Sequence, residues 1–227
     1  METSAEQITQ PFAPYNPGIL GKIFAWFLSI VFHPLFIPVI GVAGLAYTQE
    51  GYYLGMSTTD KNLIILRVAV NTIFFPLITV LLLKALGFIK SIYLRTKRER
   101  IIPYIAGNIF YFWMFLVFHN QPDVPPITTS FILGIFLASS LALVLNSFFK
   151  ISMHALGMGA ILGLVLIIIY TGNTGNVFLT MMIVLLITGL VCTSRLMISD
   201  HTYGDLVSGL AISILSQIIA IWFVLYV

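Results

Sequence analysis

Charge is what this sequence has least of. Of its 227 residues, 8% are Asp, Glu, Lys or Arg and 59% are hydrophobic, where an average soluble domain is about 25% charged. With a mean hydropathy of +1.03, a water-soluble globule is excluded. The apolar runs are long enough for membrane helices rather than barrel strands. Cysteine is nearly absent: Cys192 alone cannot close an internal disulfide, and it lies in an apolar run where a thiol serves as a small core residue. Four histidines and that one cysteine show no C-x2-C or H-x3-H spacing, so no metal is expected, and no other cofactor. A net charge of +3 is too small to gather nucleic acid. Near the N-terminus Glu2 and Glu6 stand where a cleaved signal peptide would carry basic residues, so the first apolar segment is expected to stay as an anchor.

What is present is a series of apolar segments. Residues 1–18 are polar, with Pro11, Pro14 and Pro17, and read as a short tail. Residues 19–227 read as one domain: an all-α, polytopic transmembrane bundle of about seven spans, or six if the first does not fully insert. The spans are expected near residues 19–47, 63–88, 101–118, 127–149, 153–170, 177–193 and from 204 onward. Prolines at 34 and 38 predict a kink in the first, and Pro76 one in the second. His33, beside Pro34, can line a cavity or bond a carbonyl freed by the proline. His119 ends the third span at an interface. Ser139, Ser140 and Asn146 are placed to bond across helices, while Gly157, Gly159, Gly163 and Gly209 allow close helix approach.

Three segments break the apolar pattern. The first, Lys90 to Arg100, holds five of the eleven basic residues. It can touch anionic lipid heads or clamp a phosphate. The second is Lys150-Ile-Ser152-Met-His154, with Ser and His two apart at an expected helix start, where first-turn amides favour an anion. The third, Ser194 to Gly209, packs four phosphate-handling groups into twelve residues: Ser194, Arg195, His201 and Asp205. Arg195 offers a permanently charged fork for phosphate oxygens, and His201 is a candidate nucleophile near neutral pH. Asp205, four residues on, shares a helical face with His201 and can fix its tautomer. A structural ion pair in a helix–helix turn would also explain these two. Ionisable residues within a hydrophobic protein favour function. Each segment is separated from the next by two spans, so all three emerge on one membrane face.

The third segment resembles the third motif, S-R-x5-H-x3-D, of the type 2 phosphatidic acid phosphatases, relatives of the vanadium haloperoxidases. Ser194-Arg195, His201 and Asp205 fit it without a gap. The family's second motif, P-S-G-H, is similar to Ile151-Ser152-Met153-His154, with the proline and glycine replaced. Its first, K-x6-R-P, is matched only loosely: two isoleucines separate Arg100 from Pro103, and Lys97 and Arg100 stand as the phosphate-contacting candidates, with Arg98 beside them.

The resemblance implies a helical core and a metal-free lipid phosphatase. His201 would attack phosphorus and form a phosphohistidine, oriented by Asp205. His154 would protonate the leaving alkoxide and then activate water. Arg195, Ser152, Lys97, Arg100 and Ser194 would bind phosphate oxygens. The partner implied is a membrane lipid phosphate or diphosphate entering from the bilayer: phosphatidic acid, phosphatidylglycerol phosphate, a polyprenyl diphosphate or a glycolipid phosphate. A lipid phosphotransferase using the same site, or a non-enzymatic membrane protein retaining the fold, would carry the same residues. A bacterial inner membrane is expected. The basic residues on the site face place that face in the cytoplasm by the positive-inside rule, whereas the family analogy places it in the periplasm.

Overall fold

A computed structural model describes residues 18–88, 97–172, 177–199 and 201–226, with the backbone alone for residues 97–103. The described residues contain helices and turns and no strand. In chain order they are α1 (Ile19–Val31), α2 (Ile37–Thr48), α3 (Thr58–Ala69), α4 (Phe75–Ala85), α5 (Lys97–His119), α6 (Pro126–Leu145), α7 (Met153–Tyr170), α8 (Val177–Ile198) and α9 (Tyr203–Tyr226). Among the described residues five stretches, against the seven or six spans expected, are long and apolar enough to cross a membrane: Thr58–Ala85, which joins α3 to α4, and then α6, α7, α8 and α9, while α1, α2 and Tyr104–His119 of α5 are shorter apolar helices. The chain is thus an all-α bundle of the kind its hydropathy predicts.

The prolines act where expected, and one does more than kink. Within the expected first span the helix stops at Val31, and α2 begins only at Ile37. Pro34 has no amide to donate, and it disfavours helical geometry at His33 before it. The chain turns there through His33 N–H to Ile30 O and Phe36 N–H to His33 O. One expected span is therefore two short helices with different neighbours: α1 packs on α8, and α2 on α3, α6 and α7. In the second span Pro76 removes a helical donor, and the helix continues through a wide π turn at Val70–Phe74.

Glycine sets the closest packing. α9 lies against both α7 and α6. A Cβ on Gly159 would stand 2.7 Å from Leu210 O, and one on Gly163 2.8 Å from Gln217 Cβ. On Gly209 it would meet Ser152 O at 2.9 Å and Leu156 N at 3.1 Å. Any side chain at these positions would force α9 off α7. Gly157 does the same for α2, with Ile37 Cγ1 2.8 Å from the virtual Cβ. Between α5 and α6 the bond is polar, Ser139 Oγ donating to Asn108 Oδ1. Other contacts fix which end is which. Tyr52 bonds Thr171 beyond the end of α7, and Tyr53 bonds Thr128 at 2.6 Å near the start of α6. α2 therefore runs beside α7 in the same direction. The N-termini of α7 and α9, the C-terminus of α8 and the turn between α1 and α2 share one end of the bundle.

Candidate functional site

At that end, His201 sits in the short connection between α8 and α9. Thr202 and Asp205 form a reciprocal cap on α9. Asp205 N–H donates to Thr202 Oγ1 at 3.3 Å, and Thr202 N–H donates to Asp205 Oδ2 at 2.9 Å, the two-way bonding of a capping box. The same Oδ2 receives His201 Nδ1 at 3.3 Å, with both side chains 13–14% exposed. A carboxylate only accepts, so Nδ1 carries the proton and Nε2 holds the free lone pair. Burial lowers the His201 pKa from its ordinary value. The bond to Asp205 opposes that shift, and the charges of Lys150 and Arg195 add to it. The imidazole is therefore neutral at pH 7, as a nucleophile requires.

His154 lies in the first turn of α7. Its Nε2 is 3.0 Å from Ser29 O. A carbonyl only accepts, so Nε2–H is the donor and Nδ1 is left for proton traffic. Ser29, buried in the last turn of α1, also bonds Arg195 through its hydroxyl: Nη1 donates to Oγ at 3.4 Å. Arg195 Nε is buried without a hydrogen-bond partner. His33 completes the group, its ring standing 5.7 Å from that of His154 at 86°. Its Nδ1 accepts the Leu35 N–H at 3.3 Å, so it binds an amide rather than a freed carbonyl, and Nε2–H is directed elsewhere.

Arg195, His201, His154 and Asp205, drawn from two segments of the chain, are thus neighbours, with His154 within electrostatic range of both Arg195 and His201. The two serines stand differently. Ser152 is fully buried as the cap of α7, accepting Ala155 N–H at 3.5 Å, and its own N–H donates to Asp205 O at 3.1 Å. Ser194 is buried and donates to Leu190 O of its own helix at 2.8 Å. Both hydroxyls meet backbone. Lys97 and Arg100 begin α5 at the same end, and their side chains lie outside the described residues. No group of three His, Cys, Asp or Glu able to hold a metal occurs among the described residues.

Sequence reasoning missed Ser29 and gave His33 either a cavity wall or a freed carbonyl to bond, without joining it to His154. Their i, i+4 spacing across the end of α1 was the available signal. Lys150, two residues before Ser152, stands in the sequence as one of the basic residues of the site face, and its charge acts on His201. No family model matches the chain, and no curated protein or solved structure matches it.

Proposed function

We propose that this chain is a membrane-embedded phosphatase acting on a lipid phosphate or diphosphate, of the type 2 phosphatidic acid phosphatase kind. The observation that carries the reading is Arg195. A guanidinium with a buried, unpartnered Nε lies within electrostatic range of two histidines whose free nitrogens are Nε2 on His201 and Nδ1 on His154. An arginine fork matches phosphate oxygens, and the cost of burying its unpaired donor is offset when an anion binds.

In the proposed reaction His201 Nε2 attacks phosphorus in line with the lipid oxygen. The phosphorus–oxygen bond to the lipid breaks as the phosphorus–nitrogen bond forms. Protonated His154 gives its Nδ1 proton to the leaving alkoxide. Water then attacks the phosphohistidine, neutral His154 takes its proton, and His201 is released with inorganic phosphate. Asp205 holds Nδ1–H throughout and stabilises the charge the ring acquires. Arg195 carries the charge on the phosphoryl oxygens, with Lys97 and Arg100 as further cations from the start of α5. Ser152 holds the α7 end against Asp205 and so positions His154. Ser194 anchors the last turns of α8 that carry Arg195. The membrane proposed is a bacterial inner membrane.

The test is phosphate release by purified protein in detergent from a panel of lipid phosphates, with EDTA present and with His201→Ala and His154→Ala alongside. Turnover that survives EDTA and disappears in both variants is expected. Substantial release by folded His201→Ala overturns the mechanism. One observation favours a second reading, a non-enzymatic membrane protein with this fold: Asp205 already has a structural task in the α9 cap. Absence of turnover on every lipid by folded wild type selects it.

A further inference from the structure

A groove of about 400 Å³ runs from His33 and His154 between α4 and α5. That is within the range of about 300–1,000 Å³ for ligand pockets. Its walls are Leu35, Pro76, Leu77, Val80 and Met153, apolar apart from a small patch where Asn108, Ser139 and Tyr111 meet. Phe75 and Phe110 stack across the two helices with ring centroids 5.5 Å apart, tying α4 to α5. Gly107 lies on the groove and has nothing within 4 Å of a virtual Cβ. In α5 that glycine is neither a turn nor a helix contact. It costs about 1 kcal/mol of helix propensity and leaves space where any other residue would fill it. The groove is apolar along its length and polar at one end. That end holds the imidazoles of His33 and His154, with Arg195 close enough for its charge to act on both.

We propose that this groove holds the hydrocarbon chain and alcohol of a phosphorylated lipid, with His33 at its mouth donating Nε2–H to the substrate's phosphate ester. The inference rests on the phosphatase reading and names the half of the substrate that departs. The occupant follows from charge and direction. An anion is drawn to the Arg195 end, and His154, the proton donor to the leaving oxygen, is also a wall of the groove. The leaving alcohol must therefore start in the groove, and an apolar channel flanked by membrane helices suits an alkyl or isoprenoid chain. His33 is suited to its task because Leu35 N–H occupies Nδ1, which fixes the other nitrogen as the donor.

Gly107→Leu places a branched side chain on the groove from a Cβ position that is open, with a gain in helix propensity. Its expected effect is selective. kcat/KM for dioleoyl phosphatidic acid falls by about 10-fold or more, as when a pocket is shortened by a few carbons, while dibutyryl phosphatidic acid is hydrolysed as by wild type. Equal change on both substrates, or none, overturns the groove assignment. His33→Asn keeps an acceptor for Leu35 N–H through Oδ1 and loses the Nε2 donor. It is expected to raise KM by about 10-fold, the worth of a hydrogen bond to a charged group, with kcat little changed. An unchanged KM removes His33 from the site.

A second readout does not depend on turnover. Phosphatidic acid bearing a diazirine near its chain end is photolysed in His201→Ala protein. Adducts are expected on Leu77, Val80 and Tyr104, displaced by unlabelled phosphatidic acid or by a polyprenyl phosphate but not by phosphatidylcholine. The better competitor identifies the chain class. Adducts spread over other lipid-facing helices and indifferent to competitor overturn the groove. Competed adducts in the groove, with no phosphate release from any lipid by wild type, leave the groove standing and the phosphatase reading fallen.

Discussion

At the end of the bundle where α2 gives way to α3, charges meet partners. Lys61 Nζ pairs with Glu50 at 3.7 Å, Asp60 caps α3 through Ser57, and Arg67 donates to Gln121 Oε1 at 2.9 Å. Three carboxylates, counting Asp123, stand beside two cations. At the other end the described side chains include Lys22, Lys84, Lys150, Arg195 and three imidazoles, with Asp205 as the carboxylate among them. Arg195 keeps a buried donor unpaired. An end where each cation has a partner and carboxylates outnumber cations has no use for an added anion. An end whose positive charges outnumber its negative ones, partly out of water, favours an anion. The difference separates a structural rim from the candidate site in a chain where both ends carry ionisable residues.

The comparison breaks most sharply by mutation. His201→Ala is expected to reduce phosphate release by about a thousandfold or more, the scale of losing a nucleophile, while His119→Ala at the opposite end leaves the rate as it was. Equal loss in both would mean that histidine at either end acts through folding. Gly209→Ala comes next. Its Cβ would press on the Ser152 carbonyl and Leu156 amide of α7, and the overpacking is expected to cost about 1–3 kcal/mol, seen as a lower unfolding temperature in detergent. Gly189→Ala, with open space around its Cβ, serves as the control and should be neutral or slightly stabilising.

The pH profile sharpens the comparison within the site end itself. Because burial lowers the His201 pKa, the acid limb of kcat/KM for the free enzyme should lie below the ordinary histidine range, and the rate should fall again at higher pH as His154 loses the proton it gives to the leaving oxygen. Asp205 opposes that lowering, so removing its charge in Asp205→Asn should move the acid limb to still lower pH. The amide oxygen can still accept Thr202 N–H and keep the α9 cap. If Asp205 acts only as a cap, the limb will stay where wild type has it. The smallest effect is expected at the paired end. Lys61→Met removes a pair whose glutamate is 75% exposed, and such pairs contribute about 0–1 kcal/mol. Activity should not change.

Much of the site was legible as spacing. Ser194-Arg195, His201 and Asp205 are close in sequence, so a helix end and a short connection suffice to gather them. Ser152 and His154 were legible as a helix start, which Ser152 caps. The parity of the spans already put all these segments at one end. The break at Phe32–Phe36 was visible only as a kink, because two prolines announce a bend but not whether the following helix resumes against the same neighbours. Local chemistry also concealed what the two serines do. Ser, Arg and His in a row suggest three ligands, yet buried hydroxyls turn to the nearest carbonyl or amide when no other partner is within reach.

By itself the sequence determined that this chain is an all-α membrane bundle. Hydrophobicity at this density, nearly free of charge, can satisfy its backbone only within helices. It also determined which residue types meet at the α8–α9 connection, since those contacts are local. The tertiary structure alone decided that Ser29 joins His154 to Arg195, that His33 faces His154 and that Gly107 opens a groove beside them. Those contacts link residues more than a hundred positions apart, or depend on space between helices. Pattern along a chain encodes neither, and only the packing of one helix against another creates them.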